Sequence, residues 1–172
     1  MISDAYAAGF FDGEGSVYAA TRNKYYKNPT IVVVISNTVE RPLLECQKRW
    51  GGNIYCKKQS RRPRHRDVYQ WNLGPRASKS FLTAIQPHLL IKNDVVAVAL
   101  EYCALMELPI RERMDYSQLR PSKTPGKLTR AGVMRPEFRA RIDALHARIR
   151  ELNTRGAPAN ATRKYTIPNL AA

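Results

Sequence analysis

The sequence predicts an α+β fold, and three observations carry the prediction. Strand-like runs come in two pairs, 16–24 with 30–36 and 53–59 with 67–73, each pair split by a breaker or a polar loop. Segments of helical character stand before, between and after these pairs. A last segment, 136–153, places Phe138, Ile142, Leu145, Ile149 and Leu152 at intervals of four, three, four and three, which is one apolar stripe. The order is helix, hairpin, helix, hairpin, helix. That describes a mixed αββαββα core over residues 1–110, with a curved antiparallel four-stranded sheet backed by helices. A C-terminal helical extension, 111–172, is expected to pack on it.

Each element has a local cause. Asp4 is a candidate N-cap for a first helix over about 5–13. Asn28-Pro29 interrupts the chain before "TIVVVIS", whose β-branched residues favour a strand. Pro42 suits the start of a helix, followed by Leu43, Leu44, Gln47 and Trp50 until Gly51-Gly52 stops it. The third and fourth strands flank "SRRPRHR", and Gly74-Pro75 ends that hairpin. Helices follow near 77–86 and 94–107, with Pro87 as a break and Asp94 as a candidate cap. Residues 111–134 hold Pro121, Pro125, Gly126 and Gly132 and read as a long connecting segment. After the last helix, 154–172 reads as a loose basic tail.

At 172 residues the chain is long enough for one domain with a real core. Lys and Arg number 29 against 14 Asp and Glu, a formal net charge of +15, which points to a polyanionic partner. A membrane is the weaker candidate, because no apolar run approaches a spanning length and the N-terminus resembles neither a signal peptide nor a basic leader. Cys46, Cys56 and Cys103, with His65, His88 and His146, form no zinc spacing. They read as buried or half-buried thiols of a reducing compartment. The expected location is cytoplasmic, nucleoid-associated in a prokaryote, or an organellar matrix, and not secreted.

The charge is concentrated. Residues 57–66 contain Lys57, Lys58, Arg61, Arg62, Arg64 and Arg66 and no acid. A solvated hairpin tip accounts for this run, and so does a ribbon reaching DNA phosphates. Strand alternation adds to the second reading. Ser16, Tyr18, Ala20, Arg22 and Lys24 share one face of the first strand; Tyr55, Lys57 and Gln59 share one of the third; Val68, Gln70 and Asn72 share one of the fourth. Such side chains suit base edges in the major groove of double-stranded DNA. "IVVVI" is apolar on both faces, so that strand is either central or makes apolar outward contacts.

The stretch "AAGFFDGEGSV", residues 7–17, ends a helix on acids, where the helix dipole is negative. Ala5, Ala8, Gly9, Asp12 and Gly13 lie along one side of that helix. Small residues there admit close approach, either by the chain's own body or by the same helix of a second copy. In a homodimer two Glu14 carboxylates would come together and require cations, and oxygen ligands favour Mg²⁺. Divalent ions beside a DNA-binding sheet suggest metal-assisted phosphodiester hydrolysis.

The same stretch resembles the signature of the LAGLIDADG homing endonucleases. The likeness runs from the first helix through "IQPHLLIKNDVV" to "IRELNTRG", and the order of elements matches. Ala7 departs from the leucine of the pattern, and Glu14 replaces the aspartate while keeping the carboxylate. One motif in the chain resembles the single-motif, homodimeric branch. The resemblance implies a site-specific endonuclease that cuts long, near-palindromic DNA with Mg²⁺, other divalent cations substituting. It implies Glu14 as the metal-binding acid with the Gly13 carbonyl, Asn37 ordering the attacking water, Arg41 as a basic residue of the site, and Lys92 steadying developing charge. Asp12 matches the first acid of the pattern, with a structural role at a helix pair formed with Ala8 and Gly9. Two other classes remain: a non-cleaving protein on the same fold, such as an intron maturase that would add RNA as partner or a DNA-binding regulator, and an unrelated basic RNA-binding protein of ribosomal type.

Overall fold

The computed structural model describes residues 2–21, 29–58, 66–117, 119–121, 128–130 and 132–154. Helix α1 spans Asp4–Glu14. Its N-cap is Ser3, not the expected Asp4: the Ser3 hydroxyl accepts from the Tyr6 amide at 3.2 Å. Asp4 thereby falls in the first turn, where an acid complements the dipole, and its carboxylate pairs with Arg49 at 2.7 Å. Strands β1 (Gly15–Thr21) and β2 (Pro29–Asn37) form the first hairpin, α2 (Arg41–Trp50) follows, and β3 (Asn53–Lys57) pairs with β4 (Val68–Leu73). All neighbours in the sheet are antiparallel, in the order β1-β2-β4-β3.

That order explains the doubly apolar strand: β2 is central. Ile31, Val33 and Ile35 face the helices and are fully buried. Val34, on the other face, is buried between its cross-strand partners Ser16 and Asn72. Helix α3 (Pro75–Ile85), a 3-10 turn at Gln86–His88 that contains Pro87, and α4 (Asn93–Glu107) complete the expected order. Asp94 lies in the first turn of α4; Lys92 occupies the cap position and supplies no side-chain cap bond.

Phe81 of α3 is the centre of the core. Its ring meets Phe11 at 5.7 Å and both Trp50 and Trp71 at 5.1 Å, all edge-on. One phenyl ring thus ties α1, α2, β4 and α3. The Trp71 indole N–H donates to the Gly51 carbonyl at 2.8 Å. The turn around it needs glycine: Gly52 has φ 89°, and a Cβ there would stand 2.7 Å from the Asn72 carbonyl oxygen.

Residues 111–134 are not the plain connection expected. A short helix, α5 (Ile110–Arg113), leads into two nested antiparallel ribbons, β5 (Met114–Asp115) with β8 (Val133–Met134) and β6 (Leu119–Pro121) with β7 (Leu128–Arg130). Backbone carbonyls anchor the base of the ribbons: Arg113 Nε donates to Leu108 at 2.8 Å and Arg135 Nε to Arg111 at 3.0 Å.

Helix α6 (Pro136–Thr154) lies against α4 and β1. Phe138, Ile142 and Ile149 are buried as expected, while Leu145 and Leu152 are half-buried. His146 takes the remaining buried place and stacks on Tyr102 at 5.5 Å. At the end of α6, Asn153 Nδ2 donates to the Val17 carbonyl of edge strand β1 at 2.8 Å. The expected tail beyond 154 lies outside the described residues. Burial raises the Cys46 and Cys103 thiols to about 11, whereas Cys56 is exposed, contrary to expectation. Among the described residues no helix is long and apolar enough to cross a membrane.

Candidate active site and nucleic-acid face

Helix α1 runs into β1 without a loop, so its last residue, Glu14, stands where the sheet begins. Both Glu14 and Gly13 are exposed. The junction is tight: a Cβ on Gly15 would overlap the Phe11 ring and lie 2.6 Å from the Phe11 carbonyl oxygen. The last carbonyls of a helix have no partner within it. Here the Phe11 carbonyl still accepts the Gly15 amide, and Lys92 joins it there and answers the Asp12 carbonyl beyond it. Its ammonium donates to the Phe11 oxygen at 2.9 Å and to the Asp12 oxygen at 2.6 Å. The Gly13 and Glu14 carbonyls take no part in these bonds. Burial lowers the pKa of Lys92, and the carboxylates of Asp12 and Glu14 oppose that shift. Lys92 is therefore a cation within the electrostatic reach of the acid at the helix end.

Asp12 uses both carboxylate oxygens within its own chain. Oδ2 accepts from the amides of Leu90 (2.8 Å) and Ile91 (3.2 Å), and Oδ1 from that of Lys92 (3.0 Å). Nothing local in the sequence signals this catch, since the partners are 78 to 80 residues away. Among the described residues, no group of three or more His, Cys, Asp or Glu gathers to hold a metal. At this helix end the exposed carboxylate is that of Glu14, with the Gly13 carbonyl beside it. That donor set suits Mg²⁺, which keeps several waters and takes ligands from substrate phosphates.

Asn37 ends β2 on the helix-facing side of the sheet, in register with Tyr69 and beyond the buried Ile35. Its Oδ1 accepts from the Val39 amide at 2.8 Å and closes the turn into α2. Arg41, exposed at the start of α2, borders a depression with Ile2, Ser3 and Tyr6. Those residues belong to the amino end of α1, whereas Glu14 is its last residue. The described contacts therefore join Lys92 to the Glu14 end and leave Arg41 beside the other end.

The sheet register sorts the side chains into two faces. Opposite the helices lie Ser16 and Tyr18 of β1, Ser36 of β2, Gln70 and Asn72 of β4, and Tyr55 and Lys57 of β3. Tyr18 is 40% and Tyr55 53% exposed. The Asn72 carboxamide oxygen is buried without a partner among the described residues, so only its amide end remains for a ligand. Lys57 is exposed. Arg22, Lys24, Gln59, Arg61, Arg62 and Arg64 lie outside the described residues.

The exposed small-residue side of α1 is narrower than its spacing predicts and excludes Ala8. Ala8 is fully buried in the chain's own core beside Ala7 and Phe11. The helix wedges into the core on the Ala7–Ala8–Phe11 side, so Ala8 has no surface to offer a partner. Ala5, Gly9 and Gly13 are exposed, and Asp12 is half-buried. A Cβ on Gly9 would meet nothing within 4 Å. Tyr6 on the same helix is 55% exposed.

No protein-family model matches this sequence, and no curated protein matches it. Solved structures do. The homing endonuclease I-CvuI, in complex with its target in the presence of Ca, superposes with a TM-score of 0.60 at 15% identity, over 93% of this chain and 84% of that one. The archaeal intron-encoded homing endonuclease I-Vdi141I, complexed with DNA, gives 0.58 at 15% identity over 94% and 87%. I-TnaI, also a homing endonuclease, gives 0.58 at 18% identity over 88% and 96%. The chain has the fold of these proteins, which is the LAGLIDADG fold.

Proposed function

We propose that this chain, built on the LAGLIDADG fold, is a site-specific endonuclease that cleaves double-stranded DNA as a homodimer with Mg²⁺. The observation that carries the reading is the helix end. Glu14 is exposed where α1 meets the sheet, and the Lys92 ammonium is seated on the adjoining carbonyls. The neighbours in structure, among them DNA complexes, support the same reading.

The open face of the sheet lies along DNA. Tyr18, Gln70, Asn72, Tyr55 and Lys57 reach base edges and phosphates there. From the sequence alone, Arg22, Lys24, Gln59, Arg61, Arg62 and Arg64 are the further DNA-binding candidates. Two copies meet through the exposed side of α1, at Ala5, Gly9 and Gly13. This brings two Glu14 carboxylates to the middle of the duplex. Glu14 and the Gly13 carbonyl would hold the metal, which as a Lewis acid lowers the pKa of water and neutralises phosphate charge. Lys92 offers positive charge to the developing phosphorane. Asn37 retains its amide group to orient water while its oxygen holds the turn. Arg41 serves the site only if DNA or the second copy brings that end of the chain within reach.

The test is a divalent-dependent cleavage assay on DNA carrying the sequences that flank the gene. Cutting at one site that is abolished in Glu14→Gln, with DNA binding kept, supports the proposal. Binding without cutting at any divalent concentration would leave the non-cleaving maturase or regulator reading in its place.

A further inference from the structure

Asp12 and Lys92 hold each other twice. The Asp12 carboxylate accepts the Lys92 backbone amide, and the Lys92 ammonium donates to the Asp12 backbone carbonyl. The two bonds close a ring between the end of α1 and the loop before α4. Leu90 and Ile91 extend that loop and give their amides to the same carboxylate. Their side chains do not anchor it, being 92% and 76% exposed. Nor does α4 have a side-chain cap of its own. An acid at the amino end of α4 is favoured by the dipole, and bonds from amides to a carboxylate are charge-assisted. The amides of residues 90, 91 and 92 therefore all rest on one carboxylate.

From this geometry we infer that Asp12 is a positioning residue for Lys92. It fixes the lysine backbone so that the ammonium lands on the Phe11 and Asp12 carbonyls. An ammonium has three protons. Two are committed to these oxygens, and one is left to face the reacting phosphate. Asp12 itself is spoken for by three amides and touches no substrate. The role in cleavage rests on the endonuclease reading above; the clasp does not.

The experiment is a double-mutant cycle with a spectroscopic arm. Asp12→Asn keeps size but sets a carboxamide NH2 donor against a backbone N–H donor. Asp12→Glu keeps the charge and moves the acceptor by one methylene. Each should lower kcat on the order of 100-fold, as a misplaced group does, with DNA affinity within about twofold of the parent. Combined with Lys92→Ala, neither should lower kcat beyond Lys92→Ala alone, because a residue acting through another adds nothing once that other is gone. Penalties that multiply in both combinations overturn the inference. The second arm needs no cleavage: the ζ-ammonium protons of Lys92, followed by ¹⁵N-resolved NMR, should exchange slowly in the parent and rapidly in Asp12→Asn. Unchanged exchange overturns the clasp. A parent protein that shows slow exchange, lost in the variant, yet cuts no DNA defeats the endonuclease reading and leaves the clasp standing.

Discussion

Gly9 separates the fold of one chain from the assembly of two. It lies in the interior of α1, exposed, and a Cβ there would meet nothing within 4 Å. Within one chain, Gly9→Ala should raise stability by about 0.5–1 kcal/mol, because alanine loses less backbone entropy in a helix. Gly9→Leu should likewise be tolerated by the isolated chain. Across a two-fold helix pair the same leucine is met twice. Overpacking costs about 1–3 kcal/mol per site, so roughly 2–6 kcal/mol for the pair, or about 30-fold to 10⁴-fold in dimer dissociation. Sedimentation over a concentration series reads the dissociation, and urea unfolding below the dissociation constant reads the chain. The expected pattern is a Gly9→Leu chain at least as stable as the parent, monomeric, and unable to cut. A Gly9→Leu protein that stays dimeric and cuts normally would refute the packing of α1 against its own copy.

Other outcomes follow from the same geometry. Glu14→Gln should abolish cleavage and keep or tighten DNA binding, since an anion near phosphates is lost; a filter-binding titration beside a cleavage assay reads both. Gln70→Ala should relax discrimination at one base pair per half-site by roughly 1–3 kcal/mol without changing the salt slope, while Arg62→Ala should flatten that slope by about one unit; titrations on matched and substituted sites at several salt concentrations distinguish them. Phe81→Ala removes the ring that joins four elements and should cost about 3–5 kcal/mol in chemical denaturation. His146 has a pKa lowered by burial first and by Arg150 next. Below its ordinary 6.5 the unfolded chain takes a proton that the folded chain refuses. Stability should therefore be full above that pH and fall beneath it, by at most about 1.4 kcal/mol per unit from this one group. In His146→Phe that part of the slope should vanish.

Much of the core was legible because its signals are local. Alternation and breakers marked the four strands, and the doubly apolar "IVVVI" resolved as a central strand. The ribbons in 111–134 leave no mark in the sequence because strands of two or three residues have no periodicity. A helical wheel put Ala8 on the open stripe, but it does not say how wide a face the core takes, and Ala7, Ala8 and Phe11 are all buried. Lys92 entered only through resemblance. Its seat on the α1 carbonyls, and the Asp12 carboxylate that fixes its backbone, join residues about 80 positions apart, a distance at which sequence pattern is silent.

The bond from Asn153 to Val17 has a consequence for synthesis. The two residues are 136 positions apart. At about 5–20 residues per second, a ribosome takes roughly 7–30 s to add the intervening chain. Throughout that interval the outer edge of β1 has been made and its cover has not. An open strand edge is a template for pairing with another chain. Neighbouring nascent copies on one message would meet with those edges bare, so yield should depend on translation speed and on chaperones that hold extended segments. Slower codons placed before α6 should lower soluble yield, and a separately supplied α6 peptide should restore part of it.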